Sequence, residues 1–346
     1  MSTPEPTRQL LIRADASIRI GTGHVMRCLA LAQGWAQAGG RVTFAMAGSS
    51  VPLRFRLERE GFEVITLQVE PGSAEDAVAT LQLARDLPAS WLIADGYAFA
   101  SDWQEVVRAG GVRLAVLDDY GHADRYFADL ILNQNVLVDP QLYVRREATS
   151  RLALGPGYAL LRREFLAWSG AARLIPAIAT KVLVTLGGSD PDNVTARVLA
   201  NLRGLSGIEV IVVVGGSNPH RVALEALVQE CNAGTPWLRL EVDATNMPEL
   251  MAWAEVAVSA GGSTLWELAY MGLPALLLVL AENQVPAARA LDAAGIAQLL
   301  ASPDDLTGAL AALLPDAARR RAMSAAARLL VDGRGVARVL GQLEAA

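Results

Sequence analysis

One histidine stands where a glycine-rich turn opens a helix, a position suited to chemistry. His24 lies in Gly21-Thr22-Gly23-His24-Val25-Met26-Arg27, between an apolar strand and a long apolar helix, and the 346 residues include three histidines in all. Glycines let the backbone approach a ligand closely, and main-chain N–H groups at a helix start attract anions. The positive end of the helix dipole disfavours the protonated imidazole, so we expect His24 to stay neutral and able to accept a proton. The alternative is a histidine whose ring is satisfied within the fold.

A second candidate is Gly261-Gly262-Ser263-Thr264, which follows an apolar strand and opens another helix. Main-chain N–H groups, hydroxyl donors and the helix dipole converge there, as a bound diphosphate requires. Glu267 follows, where its carboxylate can accept hydrogen bonds from both hydroxyls of a ribose. The alternative is that the glycines only permit close strand–helix packing and that Glu267 is a surface charge. Similar Gly-Gly-Ser loops begin at Gly187 and Gly215, and their recurrence favours ligand binding.

Several other chemistries lack their sequence signatures. None of the glycine-rich loops ends in Gly-Lys-Ser/Thr, as triphosphate-binding loops do, and Gly21-Thr22-Gly23 lacks the third glycine of a dinucleotide fingerprint. Neither a Gly-x-Ser-x-Gly elbow nor a His/Cys cluster with zinc spacing occurs. We therefore expect neither a cofactor nor a metal.

The composition predicts a soluble protein of two domains with aliphatic cores. The chain is longer than one ordinary domain, and 52% of its residues are hydrophobic but only 5% aromatic. A net charge of −6 argues against nucleic-acid binding, and the longest apolar run is too short to span a membrane. Residues 1–8 lack the apolar core of a signal peptide, and the two cysteines form no disulfide framework. We expect a cytoplasmic monomer that binds a small molecule.

Short apolar runs alternate with helical stretches, as in doubly wound parallel α/β domains. In the first half, a helix is predicted at 25–38 and strands at 10–14, 42–45, 91–94, 114–117 and 129–132. The pattern restarts in the second half, with strands at 181–186, 208–214, 256–259 and 275–279. We predict two Rossmann-like domains, 1–167 and 181–346, joined by a linker at 168–180 and facing a cleft that holds the ligand.

The order of these motifs resembles the UDP-sugar hydrolases of pseudaminic acid biosynthesis, which act on UDP-2,4-diacetamido-2,4,6-trideoxy-β-L-altropyranose. The resemblance covers nearly the whole chain and rests on residues 12–15, 20–27, 117–119, 130–135, 154–161, 185–191, 260–267 and 281–284. That family looks like the GT-B glycosyltransferases, especially the enzyme that adds N-acetylglucosamine to the peptidoglycan lipid precursor. The resemblance implies a GT-B fold whose last helix returns toward the first domain.

The resemblance also implies which residues act on the sugar. His24 is similar to the base that activates water in the family, and Tyr97 to a tyrosine that contacts the sugar or supports that base. Asn283 is similar to an asparagine at the sugar end of the cleft. Gly96 departs from the family pattern, because many relatives carry histidine at this position.

The nucleotide side is implied by similarity to the GT-B enzymes. Glu267 is expected to hold the ribose, Ser263 and Thr264 the diphosphate, and the backbone around Met247 the uracil. The other expected substrate contacts are Asp15, Gly21, Gly23, Gly187, Gly188 and Gly262. For Asp15 the alternative is that its carboxylate only pins the His24 loop through main-chain N–H groups.

The leading prediction is hydrolysis of this UDP-sugar to UDP and the free sugar, by attack of water on the anomeric carbon. UDP is already a good leaving group, so a strong general acid is not needed. Two alternatives are a GT-B glycosyltransferase with a UDP-sugar donor and a non-catalytic nucleotide-sugar binding protein of polysaccharide biosynthesis. His122 and His220 are interpreted as incidental, and Asp118 and Asp119 as capping or salt-linking residues rather than substrate ligands.

Overall fold

The computed structural model describes residues 8–17, 20–188, 190–233 and 237–345. These residues divide into two compact units. The first comprises the described residues of Met1–Ser17, His24–Arg163 and Arg334–Ala346, and the second those of Ile18–Gly23 and Glu164–Gly333. The expectation for residues 1–8 lies, except for Arg8, outside the described residues.

A seven-stranded parallel sheet forms the first unit. Its strands are β1 Gln9–Ala14, β2 Arg41–Met46, β3 Glu63–Thr66, β4 Ala89–Asp95, β5 Leu114–Leu117, β6 Leu130–Asn133 and β7 Arg151–Leu154. They are arranged in the order β3-β2-β1-β4-β5-β6-β7, and each neighbouring pair is parallel.

The second unit repeats the same architecture with six parallel strands. They are β8 Lys181–Thr185, β9 Glu209–Val214, β10 Leu238–Val242, β11 Val256–Ala260, β12 Ala275–Leu278 and β13 Ala297–Leu299. Their order is β10-β9-β8-β11-β12-β13. The predicted fold class of two doubly wound parallel-sheet domains is confirmed.

Helices connect the strands. They are α1 Gly23–Gln37, α2 Val51–Arg59, α3 Ala74–Asp86, α4 Ser101–Ala109, α5 Arg163–Leu166, α6 Val194–Leu202, α7 Arg221–Cys231, α8 Met247–Trp253, α9 Thr264–Met271, α10 Val285–Ala293, α11 Leu306–Leu313, α12 Ala317–Leu330 and α13 Gly335–Glu344. Short 3-10 helices occupy Pro140–Tyr143, Pro156–Tyr158, Glu282–Gln284 and Pro303–Asp305. Within the described ranges, every helix is too short or too polar to cross a membrane.

The central strands read as continuous apolar runs because both sheet faces are covered. In β1, Leu10 and Ile12 join the core that includes α1, whereas Leu11 joins the core on the opposite face with Trp103 of α4. Successive strand residues point to opposite faces, so a strand covered on both sides needs apolar residues at nearly every position. Consequently, each of the nine predicted strands is present within two residues of its predicted bounds.

The C-terminal helix α13 belongs to the first unit. Val339 and Leu343 lie in the core that contains β1 and α1, and Trp91 Nε1 donates a hydrogen bond to Leu343 O at 3.0 Å. Val336 packs so closely on α1 that a Cβ at Gly34 would collide with it. The first unit is therefore built from both ends of the described chain.

In both sheets the strand order reverses beside the first strand of the unit. This switch point lies between β1 and β4 in the first sheet and between β8 and β11 in the second. The loops that leave the carboxyl ends of two such strands diverge to opposite faces and leave a crevice, where α/β domains bind ligands.

Candidate functional site

A histidine–aspartate pair occupies the switch point of the first sheet. His24 lies in the first turn of α1, and Asp95 is the last residue of β4. His24 Nδ1 is 2.6 Å from Asp95 Oδ1. Arg27 Nη2 is also 3.3 Å from Nδ1, but the shorter carboxylate contact decides that Nδ1 carries the proton. His24 Nε2 is then the ring nitrogen that can accept a proton from a nucleophile.

Arg27 fixes the Asp95 carboxylate in a two-point contact. Its Nε donates to Oδ2 at 2.6 Å and its Nη2 to Oδ1 at 2.7 Å. Burial by itself would raise the pKa of Asp95, but the charge of Arg27, the charge of His24 and their hydrogen bonds hold that pKa well below the usual range. Asp95 is therefore a permanent carboxylate that orients the imidazole.

Tyr97, in the loop that follows β4, packs against His24. The two rings meet edge to face, with centroids 5.0 Å apart and planes at 85°. The Tyr97 hydroxyl donates to Asp119 Oδ2 at 2.7 Å, and Tyr120 packs on the other side of Tyr97 with its centroid 4.9 Å away. The structure thus brings together two of the three residues expected on the sugar side.

Gly96 has a backbone conformation that suits glycine. Its φ is +152°, outside the range that side-chain-bearing residues favour, and a Cβ here would lie 3.1 Å from the ring of Phe99. A histidine at this position, which the resemblance led us to expect, would require Phe99 and the backbone to shift.

Asp118 organises the turn that follows β5. It accepts hydrogen bonds from the main-chain N–H groups of Asp119 (2.6 Å), Tyr120 (3.2 Å) and Gly121 (2.8 Å), from His122 Nδ1 (2.9 Å) and from the Tyr126 hydroxyl. Burial would lower the pKa of His122, but its hydrogen bond to Asp118 and the charge of that residue raise it. Asp118 and His122 therefore stabilise a rigid turn.

Asp15 is engaged in contacts within the first unit. Its Oδ1 accepts from the main-chain N–H groups of Ala47 at 2.7 Å and Gly48 at 2.9 Å, and its Oδ2 lies 2.7 Å from Arg13 Nη1. Arg13 in turn makes a two-point contact with buried Asp76. Asp15 therefore pins the loop after β2, whereas the alternative named the His24 loop, and its contact with substrate stays a prediction.

In the second unit, two glycine-rich loops follow the strands at the switch point. Gly187, with φ of +91°, and Gly188 follow β8 and lead to α6. A Cβ at Gly188 would lie 2.8 Å from Thr22 Oγ1, so the turn before α1 packs on this loop. Asp190 accepts from the N–H groups of Val194 and Thr195, each at 2.8 Å, and so caps α6.

The loop after β11 leads to α9, whose first turn begins differently from that of α6. Ser263 is the N-cap residue, and its own side chain makes no capping hydrogen bond. The N–H groups of Leu265 and Trp266 donate to the carbonyls of Gly262 at 3.0 Å and Ser263 at 3.1 Å, which leaves the amides of Ser263 and Thr264 at the helix entrance. Glu267 lies half-buried in the first turn. This start is suited to an anion.

The remaining expected contacts lie in the second unit. A Cβ at Gly23 would lie 3.6 Å from Ser263 Oγ, and Gly21 has φ of +72°, a conformation that favours glycine. Met247, buried, begins α8, and Asn283 is exposed on the 3-10 helix Glu282–Gln284. Within residues 8–17, 20–188, 190–233 and 237–345, no three His, Cys, Asp or Glu side chains cluster as metal ligands.

Roles for Asp95 and Arg27 were not predicted from the sequence. Arg27 lies one helical turn after His24, but the contact of Asp95 with both residues depends on β4 lying beside β1, and the periodicity of the chain does not give strand order. An Asp at the end of a predicted strand, two residues before Tyr97, was the available signal.

The fold of the chain, and the sequence of its second half, are similar to those of glycosyltransferases. Residues 182–337 match the model of the glycosyltransferase family 28 C-terminal domain. MurG of Acinetobacter baumannii superposes with a TM-score of 0.65 at 14% identity, covering 99% of this chain and 100% of MurG. The predicted GT-B fold is confirmed by this likeness, which extends over both units.

Three curated relatives are 24–26% identical to this chain. The chain is 24% identical to the uncharacterized protein MJ1062 of Methanocaldococcus jannaschii, over 80% of this chain and 56% of that protein. It is 26% identical to the spore coat polysaccharide biosynthesis protein SpsG of Bacillus subtilis, over 96% and 97% of the two chains. It is 26% identical to the UDP-2,4-diacetamido-2,4,6-trideoxy-beta-L-altropyranose hydrolase of Campylobacter jejuni, over 56% of this chain and 65% of the hydrolase. The chain thus spans less than two thirds of MJ1062 and of the hydrolase.

Proposed function

We propose that this protein transfers the glycosyl group of a UDP-sugar to a hydroxyl acceptor that His24 deprotonates. The observation that carries the proposal is the 2.6 Å contact between His24 Nδ1 and Asp95. A base oriented by a permanent carboxylate is the arrangement needed to activate an oxygen nucleophile. The family 28 match and the GT-B fold support a transferase.

The reaction balances without a further reactant. The acceptor oxygen attacks the anomeric carbon while the bond from that carbon to the β-phosphate oxygen breaks, and the acceptor proton passes to His24 Nε2. UDP leaves with the electron pair of the broken bond. Because the acceptor attacks from the face opposite UDP, the anomeric centre is inverted.

The second unit supplies the features that stabilise the leaving group. The amides at the entrance of α9 and the hydroxyls of Ser263 and Thr264 suit the diphosphate, where negative charge builds up during bond cleavage. Glu267 is the proposed ribose ligand and the backbone at Met247 the proposed uracil contact. The reaction requires the bond between sugar and diphosphate to lie beside His24, with Tyr97 and Asn283 near the sugar.

Hydrolysis is the second candidate, in which water takes the place of the acceptor hydroxyl. It is favoured by the relationship to the Campylobacter jejuni hydrolase, whose substrate is a UDP-linked diacetamido sugar. The chemistry at His24 is the same in both reactions, so the two candidates differ only in which oxygen nucleophile occupies the site.

UDP release tests the proposal. The purified chain is incubated with UDP-N-acetylglucosamine and with UDP-2,4-diacetamido-2,4,6-trideoxy-β-L-altropyranose, with and without a mixture of sugar and lipid-linked acceptors. Release only with an acceptor supports the transferase, and equal release without one supports hydrolysis. UDP binding without release in any mixture would instead indicate a binding protein.

His24→Ala tests the base in the same assay. We expect UDP release to fall by about 100- to 10,000-fold, because a positioned general base contributes that much. His220→Ala is the matched control, since His220 lies in the second unit and its Nε2 contacts Pro191 O at 2.9 Å. Wild-type turnover in His24→Ala would refute the role of the base.

A further inference from the structure

Asp119 links Tyr97, which lies beside His24, to Arg27, which holds the Asp95 carboxylate. Its Oδ2 accepts from the Tyr97 hydroxyl at 2.7 Å, and its Oδ1 accepts from Arg27 Nη1 at 2.8 Å. Asn135 Nδ2 also reaches Oδ1, at 3.2 Å, and the main-chain carbonyl of Asp119, at 3.1 Å. The side chain is 12% exposed. Each carboxylate oxygen therefore has a specific donor.

The Asp119 carboxylate is held in one orientation. Arg27 and Asn135 fix Oδ1, and the main-chain N–H of Asp119 donates to Asp118 Oδ1 at 2.6 Å. Asp118 is itself buried and accepts two further main-chain N–H groups of the same turn. Oδ2 consequently points toward Tyr97 without the freedom of an exposed side chain, so the contact with Tyr97 is preorganised.

This contact decides which hydrogen bond Tyr97 can offer to a ligand. A tyrosine hydroxyl has one proton and two lone pairs. The Tyr97 hydroxyl donates its single proton to Asp119, whose carboxylate is ion-paired with Arg27. Donation to a carboxylate strengthens the Tyr97 oxygen as an acceptor.

We propose that Asp119 is a positioning residue that acts through Tyr97 and makes its oxygen a hydrogen-bond acceptor for the glycosyl group. The edge-to-face contact of the Tyr97 ring with His24 places this oxygen on the side chain next to the base. The site then selects a sugar that carries an O–H or N–H donor, such as a hydroxyl or acetamido group, near the anomeric carbon. This inference rests on the proposed function, because it concerns the same substrate.

The competing account gives Asp119 only a structural role, as a counter-charge for buried Arg27. The two accounts differ in how Asp119 and Tyr97 couple. If Asp119 acts through Tyr97, removing the Tyr97 hydroxyl abolishes the effect of changing Asp119. If it acts only through Arg27, the two changes are independent and their effects multiply.

A double-mutant cycle on kcat/KM for the UDP-sugar distinguishes them. Asp119→Asn and Tyr97→Phe should each lower kcat/KM about 10- to 100-fold, because each leaves the donor group on the sugar without its acceptor. The double variant should match Tyr97→Phe, and the inhibition constant of UDP should stay at the wild-type value. Asp124→Asn, an exposed acid of the same loop, is the matched control. Multiplicative losses, or a parallel loss of UDP affinity, would overturn the proposal.

A measurement without turnover keeps the test independent of the proposed function. In the NMR spectrum of the full chain, the Tyr97 hydroxyl proton should give a slowly exchanging downfield signal that disappears in Tyr97→Phe and Asp119→Asn. Absence of the signal from the wild-type spectrum overturns the proposal even if Asp119→Asn does not fold. If the wild type releases no UDP, the proposed function fails. The double-mutant cycle is then measured by binding, as the ratio of the affinity for UDP-N-acetylglucosamine to the affinity for UDP. An equal ratio in the wild type, the two single variants and the double variant overturns the inference.

Discussion

Two loops of the second unit share a sequence pattern and a position in the sheet but differ at one residue that matters. Gly187-Gly188-Ser189 follows β8, and Gly261-Gly262-Ser263 follows β11, which is hydrogen-bonded to β8. Each loop opens a helix at the carboxyl edge of the sheet. After the first, the Asp190 carboxylate accepts hydrogen bonds from the first amides of α6, whereas Ser263, the N-cap residue of α9, makes no side-chain capping hydrogen bond.

The difference shows that a glycine-rich loop before a helix is not enough to define an anion site. The first amides of any helix need an acceptor. In α6 a buried carboxylate already accepts from two of them, so an approaching phosphate would meet a negative charge in its place. In α9 the N-cap Ser263 makes no side-chain capping hydrogen bond, so a ligand can supply an acceptor there. The difference therefore favours the Ser263 loop for the proposed diphosphate contact, and the expected contact of Gly187 and Gly188 with substrate stays a prediction.

Ser263→Asp would give α9 the acid that α6 already has, and we expect the largest effect from this change. Affinity for UDP should fall about 100-fold, since the new carboxylate takes the amides and repels the diphosphate. The free energy of unfolding should stay constant or rise, because Asp is a favourable N-cap residue. Calorimetric titration with UDP and denaturant unfolding measure the two quantities.

Ser263→Ala is the control for that substitution. It removes one hydroxyl but leaves the helix amides available, so we expect UDP affinity to fall by no more than about fivefold. Wild-type UDP affinity in Ser263→Asp would mean that the nucleotide binds elsewhere.

Asp190→Ala should lower the free energy of unfolding and leave UDP affinity almost unchanged, the opposite of Ser263→Asp. The free energy of unfolding should fall by about 1–2 kcal/mol, because two buried amides of α6 lose their acceptor. UDP affinity should change by less than about twofold, because the amides at α9 are untouched. Asp192→Ala, an exposed acid of the same loop, is the control and should change neither quantity. A large loss of UDP affinity in Asp190→Ala would show that both loops bind the nucleotide.

Glu267→Gln should weaken UDP binding less than Ser263→Asp does. If Glu267 accepts both ribose hydroxyls, UDP affinity should fall about tenfold, while affinity for 2′,3′-dideoxy-UDP should stay unchanged. The paired nucleotides separate a ribose contact from a general loss of charge. Equal losses for both nucleotides would argue against a contact with the hydroxyls.

The strands that the sequence did not predict share one location. The central strands were all anticipated, but β3, β7, β10 and β13 were not, and these four are the edges of the two sheets. In β3 and β10 exposed or half-buried residues interrupt the apolar run, because an edge strand has one covered side fewer. Periodicity and hydrophobicity detect strands covered on both faces and lose the others.

Some features of the candidate site could likewise be predicted from the sequence, and others could not. The position of His24 at a helix start could be predicted, because glycines and helix signals are local in sequence. Its partner could not, since Asp95 lies 71 residues away and meets His24 only through the pairing of β1 with β4. The same holds for Asp119, which was interpreted as a cap or salt link and which contacts both Arg27 and Tyr97. Local patterns reveal where a ligand can approach, and long-range pairing decides which side chains meet it.

The placement of α13 in the first unit has a consequence for the order in which the protein folds during synthesis. Domains usually fold in the order in which they leave the ribosome. Here the core around β1 and Trp91 stays open until Val339 and Leu343 have been made, whereas the sheet of the second unit comes from the single run Glu164–Gly333. The unit whose sheet is translated second can therefore close its core first, and the core of the first unit is completed only once α13 has been made.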